Sequence, residues 1–192
     1  AEKGGKITEP RKLHGTQWSR FCPSETPDSH MVGIVKNMAL MAVITNSSES
    51  EAIVSVLKEE KVTPILDVSP YQMDEQVRIF INGDPYGCTA TPEKVVAKLR
   101  AYKRHGQLNP YISITWVVPE QEIRIHTEAG RICRPVFIVK NNRLVVTMDD
   151  FKKFSEKNME WEELIIEGKV EYLDVQEEDY AMIATYYEDL LA

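Results

Sequence analysis

The chain has 192 residues, of which 43% are hydrophobic and 28% charged, a composition typical of a globular protein with one large domain or two or three small ones. No apolar run approaches the roughly 20 residues of a membrane-spanning helix, and the opening AEKGGKITEPRKLHG lacks the apolar region of a signal peptide. We therefore expect an intracellular protein without a membrane partner, and the three widely separated cysteines exclude a disulfide framework.

The net charge of −7 is unevenly distributed along the chain. Residues 156–192 contain twelve acids and two lysines, which leaves 21 Lys and Arg against 18 Asp and Glu in residues 1–155. The acidic end is expected to be a solvated or partner-facing surface. The slightly basic remainder is compatible with a nucleic-acid partner but does not require one.

The first third of the chain contains a predicted loop, an apolar segment and a helix. Residues 1–20 are polar and basic, and Gly4-Gly5 predicts a loop. The apolar segment GIVKNMALMAVIT predicts a buried strand or the start of a helix. SSESEAIVSVLKEE predicts a helix with a capping box of Ser48 and Glu51 and with one apolar stripe, formed by Ile53, Val56 and Leu57.

The later elements alternate between hairpins and helices. VRIFINGDPYGCT predicts a hairpin that turns at Asn82-Gly83, and TPEKVVAKLRAYKRHG predicts a helix that Thr91 caps and Gly106 ends. The remaining segments are two strands (YISITWVV, EIRIHTE), a hairpin turning at Asn141-Asn142, two short helices (DDFKKFSEKN, WEELIIEG), and a strand with an acidic tail (VEYLDVQEEDYAMIA). This order predicts an α+β fold made of small mixed modules in series, with β-hairpins and short helices.

The sequence contains no motif of a self-contained enzyme. It has no glycine-rich phosphate loop and no Gly-x-Ser-x-Gly element, and its four histidines are too far apart for metal-ligand spacing. Cys22 and His14 remain open as a nucleophile and base that meet in space, but no pattern supplies the third group. We expect no catalytic residue and no metal ligand in this chain alone.

A resemblance to a known family begins at Pro10. PRKLHGTQWSRFCPSETPDSHMVGIVKNMALMA resembles a signature of the second-largest, β-type subunit of multisubunit DNA-directed RNA polymerases: Leu-His-x-Thr-x-Trp-Gly-x-x-Cys-Pro-x-Glu-Thr-Pro-Glu-Gly, followed by Gly-Leu-Val-Lys-Asn. Three later segments resemble further family motifs in the same order: VRIFINGDPYGCTATPEKVVAKLRAYKRHGQLNPYIS, EIRIHTEAGRICRPVFIV and LIIEGKVEYLDVQEEDYAMIA. The sequence is closer to the eukaryotic, archaeal and large-DNA-virus versions than to the bacterial one. It departs from the signature at Asp28-Ser29, where Glu-Gly is usual, and at Ser19, which replaces a glycine.

The resemblance implies a domain organisation and a function. Residues 1–45 would be the C-terminal part of the fork region, residues 46–130 external module 1, and residues 131–192 part of external module 2. The chain would support the active centre and the downstream DNA fork during transcription, as part of a nucleotidyltransferase that it does not form alone. Its implied partners are the largest subunit, other polymerase subunits, the DNA template and RNA, and the catalytic magnesium would be held by the largest subunit. The implied location is the nucleus for a eukaryotic protein, and the cytoplasm or virion for an archaeal or viral one.

The resemblance also implies roles for individual residues. Support of the active centre is expected from Arg11, Glu25, Asp28 and Lys36. Contacts with the DNA fork are expected from Lys3, Lys6, Lys12 and Arg20. An alternative function is a stand-alone interaction module of the same ancestry that binds transcription factors or polymerase subunits.

For the other conspicuous residues we favour structural roles. The basic side chains of the longest predicted helix should form a solvated face rather than a nucleic-acid site: Lys94, Lys98, Arg100, Lys103 and Arg104. Arg131 and Arg134 should be ion-pair partners. The three tryptophans should pack in cores or between modules: Trp18, Trp116 and Trp161.

Overall fold

The computed structural model describes residues 8–190, except for the side chain of Gln72. These residues contain ten strands: β1 (Val43–Ile44), β2 (Thr63–Pro64), β3 (Val77–Ile81), β4 (Asp84–Thr89), β5 (Ser113–Val117), β6 (Glu122–His126), β7 (Ile132–Phe137), β8 (Val139–Lys140), β9 (Arg143–Leu144) and β10 (Val170–Leu173). They also contain six α-helices: α1 (Glu51–Glu59), α2 (Pro70–Glu75), α3 (Pro92–Arg104), α4 (Met148–Ser155), α5 (Trp161–Ile166) and α6 (Val175–Asp179). The predicted α+β class is confirmed.

A five-stranded sheet forms the middle of the molecule, in the order β2-β4-β3-β6-β5. The predicted hairpin joins β3 to β4, and Asn82 and Gly83 both have positive φ (53° and 87°), as a tight hairpin turn requires. Strand β6 runs parallel to β3, so the chain must cross over between them, and it does so through α3 and β5.

The first hydrophobic core lies between this sheet and helices α1 and α3. The predicted stripe of α1 (Ile53, Val56, Leu57) is buried, and Val95, Val96 and Leu99 of α3 are buried beside it. They meet the inward side chains of the sheet: Ile79, Ile81, Ile114, Ile123 and Ile125. A fully buried side chain such as Leu99 contributes about 1.5–3 kcal/mol of transfer free energy, so this core is a main source of stability.

A second, smaller core lies under a three-stranded sheet of order β1-β7-β10. Its buried members include Cys133 of β7, Val170 and Tyr172 of β10, and Leu164 and Ile165 of α5. Strand β1 pairs with β7 at Val43–Cys133 and Ile44–Ile132. The end of the predicted fork segment is therefore attached to the last third of the chain. The proposed domain boundaries stay a prediction.

Two local predictions need correction. The capping box at Ser48 is absent, because α1 begins after Ser50, whose side chain makes no capping bond. A capping box instead starts α4, where Thr147 and Asp150 bond each other's backbone amides. The predicted hairpin at Asn141 exists, but it joins only the short β8 and β9, since β7 pairs with β1 and β10.

The apolar segment that follows Gly33 is exposed, and the prediction of a buried strand or helix start is wrong. It contributes only the two-residue strand β1, and most of its large apolar side chains face outward. Trp18 is also 61% exposed rather than packed, whereas Trp116 and Trp161 pack against the two cores as predicted. The exposed apolar set of this region comprises Leu13, Trp18, Met31, Val32, Val35, Met38, Leu40, Met41 and Ile44.

Candidate functional site

The residues from Cys22 to Asn37 form a closed loop, which we call the proline loop. At its base the Cys22 amide donates to the Asn37 carbonyl at 2.9 Å, and the Ala39 amide donates to the Arg20 carbonyl at the same distance. Phe21 and Met38 form a β-bridge between these bonds. Pro23 and Pro27 each fix one φ angle, which reduces the conformational freedom that the loop loses on folding.

Side-chain hydrogen bonds hold the inside of the proline loop. The Thr26 hydroxyl accepts from the Gly33 amide at 2.7 Å and donates to the Val35 carbonyl at 3.3 Å. The Asn37 side-chain amide donates to the Glu25 carbonyl at 3.3 Å. The two limbs are thus tied across the loop as well as at its base.

Arg11 holds the far limb of the loop from outside. Its guanidinium donates to the carbonyls of His30 (2.7 Å) and Val32 (2.8 Å). Gly33 lies against the Arg11 backbone so closely that a Cβ at Gly33 would be 2.3 Å from the Arg11 carbonyl oxygen, and its φ is +74°. Only glycine fits this conformation and this approach. Two contacts of Arg11 are therefore structural, and its role in an active centre stays a prediction.

Three charged side chains project from the loop into solvent: Glu25, Asp28 and Lys36. Within residues 8–190, Glu25 and Asp28 make no ion pair, and the Lys36 ammonium contacts only the Ile34 carbonyl, at 3.5 Å. The loop therefore presents carboxylates on a backbone that is itself fixed. Lys12 pairs with Glu9 at 2.6 Å, while Lys3 and Lys6 lie outside the described residues.

The departures from the family signature differ in their structural consequence. Ser19 has φ +57°, a region that costs a non-glycine residue roughly 1–2 kcal/mol, so a glycine would fit better there. Ser29 has no such strain, and its hydroxyl accepts from the Met31 amide at 3.4 Å. The loop therefore accommodates Ser29 without a glycine.

Arg20 does not fit its predicted role as a DNA contact. Its side chain is 1% exposed, and it binds the carbonyls of Thr16, Ile132 and Leu173 and the carboxylate of Glu178. A guanidinium buried in this way is out of reach of DNA phosphates. The family resemblance implied DNA contact for Arg20, but the acid that pairs with it, Glu178, lies 158 positions further along the chain.

A cluster of paired charges lies where α3 meets β10 and α6. We call the following residues the junction cluster: Lys103, Arg104, Arg131, Glu171, Asp174 and Glu177. The Lys103 ammonium is 2.9 Å from Glu177 Oε2 and 3.5 Å from Glu171 Oε1, and it donates to the Tyr172 carbonyl at 2.9 Å. Arg104 bonds Glu171 at 2.9 Å, and Arg131 bonds Asp174 at 3.0 Å.

The junction cluster and the neighbouring pair of Arg134 and Glu178 confirm one prediction and correct two. Arg131 and Arg134 are ion-pair partners as predicted, Arg134 with Glu178 at 2.6 Å. Lys103 is buried and Arg104 is paired, so these two do not belong to a simply solvated basic face. The acidic end is not merely a surface either, because four of its acids neutralise bases from earlier in the chain: Glu171, Asp174, Glu177 and Glu178.

The burial of Lys103 had a signal in the sequence. Val96, Leu99 and Lys103 are spaced at i, i+3 and i+7, which places the lysine on the apolar face of α3. Identifying its partners required the tertiary structure, since Glu171 and Glu177 lie about 70 positions away.

Burial raises the pKa of Glu177 to about 7, although Lys103 acts in the opposite direction; Glu171 adds to the rise. For Glu178, burial also favours the neutral acid, but hydrogen bonds from Arg134 and Arg20 outweigh it and hold the pKa below its ordinary value. Burial thus brings the pKa of Glu177 close to neutral pH.

We expect Glu177→Gln to change the pH dependence of stability. In the folded chain the pKa of Glu177 is about 7, above the ordinary 4.5. Such a carboxyl contributes stability that is fully present below about pH 4.5 and is lost as the pH rises through about 7. As the pH rises from about 5 to about 8, the variant should therefore lose less stability than the parent chain. Urea unfolding of both proteins across this range measures the difference, and parallel profiles would contradict the shift.

Within residues 8–190, no three His, Cys, Asp or Glu side chains are placed to hold a metal ion together. None of the helices formed by these residues is long and apolar enough to span a membrane.

Comparison with known proteins places these features in a family. Family models for the polymerase subunit Rpb2 match in chain order: domain 3 over residues 1–44, domain 4 over residues 79–140 and domain 5 over residues 161–192. The RNA polymerase II subunit RPB2 of Encephalitozoon cuniculi is 39% identical over 183 residues, which cover 95% of this chain and 16% of that protein. The chain belongs to the second-largest-subunit family of multisubunit RNA polymerases.

Eukaryotic and archaeal members of this family are both similar to the chain. RPB2 of Schizosaccharomyces pombe is 34% identical over 207 residues, covering 99% of the chain and 17% of that protein. Subunit Rpo2 of Saccharolobus shibatae is 33% identical over 199 residues, covering 98% of the chain and 18% of that protein. The chain thus spans about one sixth of the length of these relatives, and the resemblance to the second-largest subunit is confirmed.

Proposed function

We propose that the chain is a supporting part of the second-largest subunit of a DNA-directed RNA polymerase. The observation that carries this proposal is the match of three Rpb2 domain models in chain order. Nucleotidyl transfer would belong to the assembled polymerase. The catalytic magnesium would be held by the largest subunit, and we propose no residue of this chain as its ligand.

Within that complex, the proline loop would form a wall beside the active centre. Its shape supports this role, because a backbone tied at its base, across its limbs and to Arg11 holds the exposed Glu25 and Asp28 in place. A fixed carboxylate can orient cationic groups of the catalytic machinery without an ordering cost in each cycle. Arg11 and Lys36 would support the same region. Lys12 would face the DNA fork with Lys3 and Lys6, since phosphate contacts depend on charge and reach.

The exposed apolar set supports assembly with further polypeptide. Nine large apolar side chains lie exposed on residues 13–44 of the chain, and burying apolar surface is the main driving force for association. The partners would be the rest of the second-largest subunit, the largest subunit and other polymerase subunits, with template DNA and RNA in the working complex. The cellular location would follow: nuclear in a eukaryote, and cytoplasmic or within the virion for archaeal or viral versions.

The test is Asp28→Ala in a polymerase assembled with the subunit that contains this chain. We expect the rate of nucleotide addition to fall about tenfold, the equivalent of one lost hydrogen bond to a charged group. Asp28→Glu should retain most of the rate because it keeps the charge. Asp67→Ala is the matched control, since Asp67 is also exposed but lies outside the proline loop. Equal rates for Asp28→Ala and the control would contradict the proposed role.

The alternative, a stand-alone module that binds transcription factors or polymerase subunits, predicts different behaviour. The coding sequence would then lack the remaining polymerase motifs on either side of this segment. Copurification with a largest subunit, followed by transcription assays, separates the two functions.

A further inference from the structure

Arg20 connects parts of the fold that are distant in sequence. Its guanidinium uses four hydrogen-bond contacts: Nε with the Ile132 carbonyl, Nη1 with the Thr16 carbonyl, and Nη2 with both the Leu173 carbonyl and Glu178. Ile132 begins β7 and Leu173 ends β10, so the side chain spans the ends of two paired strands. Its side chain is 1% exposed, and a buried guanidinium needs all these partners because an unpaired buried charge is costly.

The backbone of the same residue closes the proline loop. The Arg20 carbonyl accepts from the Ala39 amide, and the next residue, Phe21, bridges Met38. The side chain therefore binds the three-stranded sheet while the main chain binds the loop base. Both anchors belong to one residue, so a single side chain links the sheet to the loop base.

Arg134 provides an internal comparison. It also binds Glu178, through Nε at 3.0 Å and Nη2 at 2.6 Å, but it belongs to β7 itself. Loss of either arginine takes one partner from Glu178, but only Arg20 also belongs to the loop base.

We propose that Arg20 is a positioning residue that fixes the direction in which the proline loop leaves the β1-β7-β10 sheet, and thereby the position of Asp28. This inference rests on the proposed function, because the position of Asp28 matters for catalysis only if the loop lies beside the active centre. Arg20 itself would touch no reacting group. It acts through the loop base, as a rigid connection between the sheet and the loop.

The structural test uses Cys22 as a reporter. Cys22 is half-buried at the loop base, whereas Cys88 and Cys133 are buried and burial raises the pKa of both their thiols. In the subunit that contains this chain, Arg20→Met should raise the rate of Cys22 modification by maleimide about tenfold, the effect of one lost charge-assisted hydrogen bond on a local opening equilibrium. Peptide mapping assigns the modified thiol. Arg134→Met should leave the Cys22 rate unchanged, and equal rates for both variants would overturn the proposal.

The functional test uses the assembled polymerase. Arg20→Met should lower the maximal rate of nucleotide addition without raising the KM for nucleotide, while Arg134→Met retains the parent rate. Arg20→Lys keeps a positive charge beside Glu178 and introduces no buried methionine. It should therefore restore part of the rate. An equal loss for the Arg20 and Arg134 variants would reduce Arg20 to a stability residue and overturn the inference.

Asp28→Ala separates this inference from the proposed function. If Asp28→Ala slows nucleotide addition but Arg20→Met and Arg20→Lys do not, the function stands and the positioning role of Arg20 fails. If Asp28→Ala also has no effect, the proposed function is contradicted. The Cys22 modification rates then decide whether Arg20 positions the loop.

Discussion

Lys103→Met is expected to lower the free energy of unfolding by about 3–5 kcal/mol, the cost of breaking a buried ion pair by removing one partner. The methionine can fill the space but donates to none of the three groups that Lys103 contacts: Glu171, Glu177 and the Tyr172 carbonyl. Arg104 still pairs with Glu171, so the loss of charge compensation affects mainly Glu177. Chemical unfolding of the parent and variant chains measures the difference.

Two further variants test this explanation of Lys103. Lys98→Met is the matched control on the same helix, because its pairs with Glu59 and Glu60 are partly exposed and should contribute at most about 1 kcal/mol. The double variant Lys103→Met with Glu177→Gln should recover part of the loss, since it also removes the uncompensated charge. The loss in Lys103→Met should also be smaller near pH 5 than near pH 8, because Glu177 is protonated there. Additive effects in the double variant would exclude coupling between these residues.

Gly33→Ala is expected to disrupt the proline loop while both hydrophobic cores stay folded. An alanine at φ +74° costs roughly 1–2 kcal/mol, and its Cβ would lie 2.3 Å from the Arg11 carbonyl oxygen. Backbone displacement to relieve such a contact costs about 1–3 kcal/mol more. Hydrogen exchange should show faster exchange at the Cys22 and Ala39 amides, which close the loop base, with the amides of α3 unchanged.

Gly15→Ala is the control for Gly33→Ala. Gly15 lies in the same part of the chain, but a Cβ there meets no atom within 4 Å and its φ is not positive. This variant should keep the parent exchange rates. In the assembled polymerase, Gly33→Ala should slow nucleotide addition at least as much as Asp28→Ala, because it displaces the whole loop. Unchanged amide exchange in Gly33→Ala would contradict this prediction, because it would show that the Arg11 backbone moves aside without loss of stability.

The junction cluster gives the acidic end of the chain a specific physical role. Helix α3 packs on the five-stranded sheet, whereas β10 belongs to the three-stranded sheet, and Lys103 with its acidic partners joins the two. Buried ion pairs contribute little net stability compared with apolar packing, but they are costly to separate. We expect them to fix how the two parts of the fold meet.

The sequence by itself determined the local elements and the family. Helix α3, the Asn82-Gly83 turn and the buried stripe of α1 follow from periodicity and turn chemistry, which depend on neighbours a few residues apart. The motifs around Cys22-Pro23 identified the second-largest-subunit family for the same reason, since a motif is read locally. The positions of Glu25 and Asp28 on a fixed loop were also anticipated from the two prolines.

Only the tertiary structure decided where the charges and the exposed apolar side chains lie. Arg20 and Lys103 are basic residues in basic segments, yet both are buried, because acids from β10 and α6 reach them across more than 60 positions. The residues after Gly33 are as apolar as a core segment but remain exposed. The chemical nature of a side chain sets how favourable its burial is. The surface that buries it, or the charge that pairs with it, comes from residues distant in sequence or from other polypeptide.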